Sequence, residues 1–600
     1  MNNKLHIIAR NLSGKELRDI RNSGCPVFWH FNVSPTHLEK QNYLPQIGPE
    51  EKKGINYRIM DQVLRFGNEK AGDKSVSDLL EYQKMDLWFY QRLTVYMAAR
   101  NIEYLLEEIR LATKKYSVIL YTDIHPDILA NHLPDNIEYK YRAKKQPVSL
   151  LKILSIGLSM ISAVTRVFYR SASKIKGKHL ILDNAKPVKI YQGPDTNPYK
   201  GNFVFNNLFK ILDKSFCLIT EAGMPGKRTA KISEYRNSYQ YRILKLNNIS
   251  SDQILARAMI NRTARKEIRE IRKDLGSKLD NLALQFRDTE YSILTYLLRG
   301  LKSSFRIYIT RYIGFREICL ENKPLSFTAS DENSPFNKSL IDACRYLKIK
   351  TIGIQHGAIH ELHPAYRLTP GEAAKNITAD LNLIWGDYWK DHLIMTGNYL
   401  PSALKVTGQI RTDTIPLLTK SGLARGEKRI ILFASQPQRD PSLREKAAAD
   451  LFKAASKVEN IIICLKPHPL EKDYHKYYSD IAQKYGTVNI HFRPDGDLYE
   501  LINSADAVYT CFSTVGTEAV YFYKPLIIHD PLEQDIQSYI ASGVGRRVRN
   551  ENECESALRQ VASDLLTQDK KAASKFISDY AFLIDGKVSE RVLSEITDGF

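Results

Sequence analysis

The side chains of this 600-residue chain that could do chemistry sit in four polar loops, each directly after an apolar run. In Lys466-Pro467-His468-Pro469 two prolines remove backbone donors and stiffen the loop, which fixes the imidazole's orientation. A donor imidazole beside a lysine can hold a phosphate oxygen. In Ser513-Thr514-Val515-Gly516-Thr517-Glu518 hydroxyls precede a glycine at a strand-to-helix turn, a pattern suited to phosphate and also to an ordinary capping box. Glu518, one turn into that helix, could accept a hydrogen bond from a ribose or sugar hydroxyl. Gln355-His356-Gly357-Ala358 places an imidazole at a strand end, where the glycine lets another backbone approach closely. His360 and His363 follow, but their spacing is not that of HExxH, and no metal site is expected. Asp331-Glu332 is the fourth group. A carboxylate there can take the proton of an acceptor hydroxyl, while Asn333 or Ser334 fits an N-cap.

These loops need strands to carry them. Apolar runs over 325–329, 351–354, 381–385 and 405–407 predict strands, the last ending in Gly408-Gln409-Ile410-Arg411. Runs over 429–434, 460–465, 488–492, 507–510 and 525–528 predict a second, regular doubly wound unit. Earlier strands are expected at 5–9, 117–121 and 179–182, and a long helix over 86–114. The charged stretch 255–300 reads as helical with a solvated face. Strands alternating with helices favour parallel α/β sheets, and ligands of such sheets bind beyond the carboxyl ends of the strands. The expected organisation is an amino-terminal acceptor-side α/β domain over 1–411, a linker over 412–428, a donor-binding domain over 429–575 and a helical tail over 576–600.

Charge narrows the partners. The chain has 87 Lys+Arg against 67 Asp+Glu, a formal net charge of +20, which implies an anionic partner. Ten of the cations fall between Tyr139 and Lys178, a window without an acid. Inside it the apolar run 153–165 is too short for the ~20 residues of a membrane span, but suits an interfacial helix on an anionic leaflet or a buried helix whose basic ends are solvated. Aromatic and basic residues do not interleave there as in a nucleic-acid groove, so nucleic acid is not an expected partner. The seven cysteines are scattered without a CxxC pair, and the amino terminus lacks a signal-like apolar run. Both point to a cytoplasmic protein, and the basic window would hold it at the inner face of the membrane.

The succession of His-Gly at 356–357, His-Pro at 468–469 and the turn 513–519 ending in Glu-Ala resembles bacterial GT-B-type transferases of surface polysaccharides. These include capsule Kdo transferases, CMP-sialic acid transferases and the glycerol phosphate polymerases of teichoic acid synthesis. The resemblance covers roughly 325–535 and extends to DLYELINSAD at 497–506 and YKPLIIHD at 523–530. It departs from the sialyltransferase pattern at Asp331-Glu332-Asn333, and from the polymerase pattern at Thr510-Cys511-Phe512-Ser513.

The resemblance implies two Rossmann-like lobes facing a cleft, with the nucleotide on the carboxyl-terminal one. It implies donor contacts from Lys466, His468, Ser513, Thr514, Gly516, Glu518 and Arg411, and a base among Asp331, Glu332 and His356. The expected activity is glycosyl transfer from a nucleotide-sugar donor, CMP-linked and Kdo- or sialic-acid-like, to a surface glycan or lipid-linked acceptor, without a cofactor. A CDP-glycerol or polyol-phosphate transferase is the alternative, and a nucleotide-sugar epimerase a second one.

Overall fold

The computed structural model describes residues 4–30, 47–134, 136–143, 175–184, 187–190, 199–220, 247–419, 427–437, 441–487 and 489–598. Most of its strands belong to three parallel sheets. The first holds β1 (Lys4–Ile8), β2 (Val27–Trp29), β3 (Ser117–Thr122) and β4 (Glu138–Tyr141), in the order β2-β1-β3-β4. The second holds β5 (His179–Asp183), β6 (Phe216–Thr220), β7 (Asn247–Ser250), β8 (Ser326–Ser330), β9 (Lys350–Ile354), β10 (Leu381–Ile384) and β11 (Leu404–Val406). Its order is β7-β6-β5-β8-β9-β10-β11. The third holds β12 (Arg429–Ala434), β13 (Ile461–Lys466), β14 (Ile490–Phe492), β15 (Ala507–Thr510), β16 (Leu526–His529) and β17 (Arg546–Val548), in the order β14-β13-β12-β15-β16-β17.

The last two sheets both run outward from their first strand in one direction, then return to its other side. That is the Rossmann winding, and it leaves a crevice where the order reverses. In the second sheet the crevice lies between β5 and β8, and in the third between β12 and β15. Each sheet is buried on both faces, which is why these strands read as unbroken apolar runs such as IIICLK and LIIH. The two wound lobes form the α/β, GT-B-like fold that the sequence suggests.

The lobes are tied together by the end of the chain. The helix Val588–Thr597 buries Val588, Val592 and Ile596 against Ile181, Ile352 and Leu383 of the second sheet. Its start is held by the buried Asp413, which accepts from the amides of Val588 and Ser589 at 2.8 Å each. The helix Lys570–Ala581 packs on the third sheet through Phe576 and Ile577.

Five strands of these three sheets escape the sequence reading: β2, β4, β6, β7 and β17. β2 and β17 have three residues each, and β4 is a largely exposed edge. The stretch 255–300 is amphipathic rather than merely solvated, because Arg262–Gln285 buries Ala264, Ile268, Leu275, Leu279 and Leu282. Of the segment read as a linker, Ile415–Thr419 is helical, with Ile415 and Leu418 buried. Residues 144–174 of the basic window, with its apolar run, lie outside the described residues. Among the described residues no helix is long and apolar enough to cross a membrane.

Candidate active site

Loops from both wound lobes reach their carboxyl edges with polar side chains. In the amino-terminal lobe β8 ends in Asp331, whose φ of +51° is a left-handed conformation that costs an aspartate energy. The turn is held by Asn337, which donates to the carbonyls of Ser330 at 2.8 Å and Asp331 at 3.0 Å. Across the reversal point Asn184, just after β5, donates to Asn337 at 3.0 Å. The half-exposed Asp331 carboxylate lies 3.9 Å from His356 Nε2, at the end of β9. Partial burial raises its pKa and the imidazole opposes the rise.

Glu332 turns the other way. It is 4% exposed, and its Cγ lies against Gly353 where a Cβ would stand at 2.9 Å. Burial pushes its carboxyl up to about 8, so it is protonated at neutral pH. One oxygen accepts from Asn333 at 3.2 Å. Asn333 also donates to Tyr399 at 2.9 Å. Glu332 thus belongs to a buried polar cluster under the sheet, while Asp331 and His356 share the cleft side. A small cavity opens there, lined among others by Phe203, Gln355, His356, Trp385, Gln409 and Arg411. Gln355 is locked by Trp385, whose backbone amide and indole N–H both donate to it at 2.9 Å.

In the carboxyl-terminal lobe the loop after β13 carries Lys466 and His468. Lys466 donates to the carbonyl of Pro494, and partial burial lowers its pKa. His468 Nδ1 accepts from the amide of Leu470 at 3.2 Å, which orients the ring. The organiser of this loop is the buried Glu471, which sequence reading passed over. It accepts from the His468 amide at 3.0 Å, from Tyr478 at 2.8 Å and from Ser435 after β12, and pairs with the Arg444 guanidinium at 2.9 Å. Its place three residues beyond His468 was the available signal. Next to Ser435, Gln436 accepts from the amide of Phe512 at 2.9 Å, which joins this loop to the hydroxyl turn after β15.

In that turn Ser513 Oγ accepts from the amide of Val515 at 3.2 Å, and Thr514 is exposed. Gly516 serves packing: a Cβ there would stand 2.7–3.0 Å from the ring of Tyr539, whose hydroxyl donates to the Ser513 carbonyl at 2.8 Å. A second cavity opens beside this turn at the ends of β15 and β16.

Arg411 joins the two edges. It follows β11, yet its guanidinium pairs at 2.8 Å with Glu518 of the helix Val515–Tyr521. It also lies 4.1 Å from the ring centre of Tyr499 and 4.5 Å from that of Phe203. Burial raises the pKa of Glu518 and Arg411 opposes the rise. The arrangement therefore sets a carboxylate–imidazole pair on one wall of a cleft, and cations and hydroxyls on the other.

Residues 406–598, about a third of the chain, match the profile of the family described as CDP-glycerol:poly(glycerophosphate) glycerophosphotransferase. The matched stretch contains Arg411, the Lys466–Pro469 loop and the turn 513–519. No curated protein matches the chain. Among solved structures, the wall teichoic acid polymerase TagF is similar over 74% of this chain and 98% of its own, at 11% identity and a TM-score of 0.38. A UDP-GlcNAc 2-epimerase from Methanocaldococcus jannaschii is similar over 70% of this chain and 100% of its own, at 12% identity and a TM-score of 0.41. The family match favours the CDP-glycerol alternative over a CMP-linked Kdo or sialic acid donor. The chain is an enzyme, and its carboxyl-terminal lobe is that of a nucleotide-activated transferase.

Proposed function

We propose that the enzyme transfers a glycerol phosphate, or a closely related polyol phosphate, from a CDP-activated donor to a hydroxyl of a phosphate-rich polymer, releasing CMP. The observation that carries this reading is the family match, because it spans the residues that converge on the carboxyl-terminal wall. The acceptor oxygen attacks the phosphorus bearing the polyol. The bond from that phosphorus to the bridging oxygen breaks, and CMP leaves with the electron pair. His356, beside the Asp331 carboxylate, takes the acceptor's proton. Asp331 steadies the imidazolium that forms. Lys466, His468 and Arg411, with the hydroxyls of Ser513 and Thr514, hold the phosphate oxygens as charge moves onto the leaving group.

A fixed positive wall suits this chemistry, since phosphoryl transfer is mostly positioning and charge stabilisation. The net charge of +20 suits an anionic acceptor. The test is to supply purified enzyme with a short glycerol phosphate polymer and, separately, CDP-glycerol, CMP-Kdo and CMP-sialic acid. The expected result is CMP release with a new phosphodiester from CDP-glycerol alone. CMP release with a new glycosidic bond would overturn the reading, and conversion of a nucleotide-sugar without any acceptor would point to epimerisation.

A further inference from the structure

Arg411 is held by the carboxyl-terminal lobe through Glu518 and Tyr499, but its third neighbour, Phe203, belongs to the other lobe and lies in no motif. Phe203 sits at the tip of a turn after the strand Tyr199–Asn202, 37% exposed to solvent although a large apolar ring. The turn beneath it is built with care. Asn202, 1% exposed, accepts through Oδ1 from the amides of Val204 at 2.8 Å and Phe205 at 3.1 Å. Its Nδ2 donates to Asp183 Oδ1 at 2.7 Å. Asp183 ends β5, at the strand reversal of the amino-terminal lobe, and is 1% exposed. Its other oxygen has no hydrogen-bond partner among the described residues. A carboxyl buried for one side-chain amide is costly, so its position has to be useful.

We infer that Phe203 is the amino-terminal lobe's half of an aromatic clamp that presents Arg411 to the donor's phosphates, with Asn202 and Asp183 as positioning residues behind it. This rests on the reading of the cleft as a site for an activated phosphate. Two rings, one from each lobe, hold the guanidinium by its plane and leave its N–H edges for anions. Glu518 occupies one such edge at 2.8 Å, and a phosphate is the stronger claimant when the donor arrives. Because the clamp needs both lobes, it also makes donor binding sense their approach.

The probe is inorganic pyrophosphate, titrated calorimetrically into the full-length protein. It needs no assumption about the base or the polyol, so its outcome stands apart from the CDP-glycerol assay. Phe203→Leu should weaken pyrophosphate about tenfold, Phe203→Tyr should stay within about twofold of the unchanged protein, and Arg411→Lys should weaken it at least as much as Phe203→Leu. Asn202→Asp, which sets two carboxyls against each other, should act in the same direction. Phe203 is part-exposed, so its replacement leaves the fold intact and the titration readable even if the Asn202 variant misfolds. An unchanged Kd for Phe203→Leu, equal losses for Leu and Tyr, or full affinity in Arg411→Lys would each overturn the clamp.

Discussion

The two wound lobes share a topology and differ in what they place on their carboxyl edges. The amino-terminal edge gathers acids with few cations to hold them. Asp183 is raised to about 6 and Glu332 to about 8, both chiefly by burial, and Asp331 is raised as well. The carboxyl-terminal edge gathers Lys466 and His468, and the buried Glu471 beneath them is satisfied by an arginine, a tyrosine, a serine and a backbone amide. The same fold thus makes one wall that can manage a proton and one that can manage an anion. The difference lies in the loops, since the strands beneath are equally apolar.

The division of labour breaks most directly at its two imidazoles. His356→Ala and His468→Ala should each lower the rate of CMP release by about 10²–10⁴-fold with an unchanged circular dichroism spectrum. A rate that survives either change would remove that wall from the mechanism. The support of the anion wall is the next target. Glu471→Ala strands the Arg444 guanidinium and releases the His468 loop, which should cost about 3–5 kcal/mol in urea unfolding and raise the donor KM. Unaltered stability would mean that the Glu471 contacts are dispensable.

Acid burial in the other lobe predicts a pH dependence. Glu332 binds its proton more tightly folded than unfolded, so its contribution to stability is present below about pH 4.5 and is lost as pH rises towards about 8, by a few kcal/mol in all. Glu332→Gln, which keeps the neutral shape, should flatten that slope in unfolding titrations, and an identical slope would place the titration elsewhere. The smallest effect is expected at Gly516. Gly516→Ala puts a methyl against the Tyr539 ring and should cost about 1–3 kcal/mol, read as a lowered Tm. An unshifted Tm would show that the ring yields freely.

The long apolar strands were legible because strands buried on both faces are continuous hydrophobic runs, as in β12, β13 and β16. The edge strands β2 and β4 were not, because three or four residues with mixed burial carry no period. Among the candidate site residues, His356 and His468 announced themselves by their Gly and Pro neighbours. Asp331 and Glu332 looked equivalent side by side, and only the left-handed turn at Asp331 and the space above Gly353 send one to the cleft and the other to the core. Phe203 and Asn202 had no motif to mark them.

Sequence alone determined the class of fold, most strands of the two wound sheets and the loops that carry polar side chains at their carboxyl ends. Those properties follow from local period and turn chemistry, which neighbouring residues settle among themselves. Only the tertiary structure decided which acid is buried, which glutamate anchors the histidine loop and which aromatic ring meets Arg411 across the cleft. The acid and the glutamate depend on contacts within one lobe, as in Glu471 and Ser435, and the ring on contacts between lobes, as in Arg411 and Glu518, 107 positions apart. Such pairs leave no local pattern, because they meet only once the chain has folded.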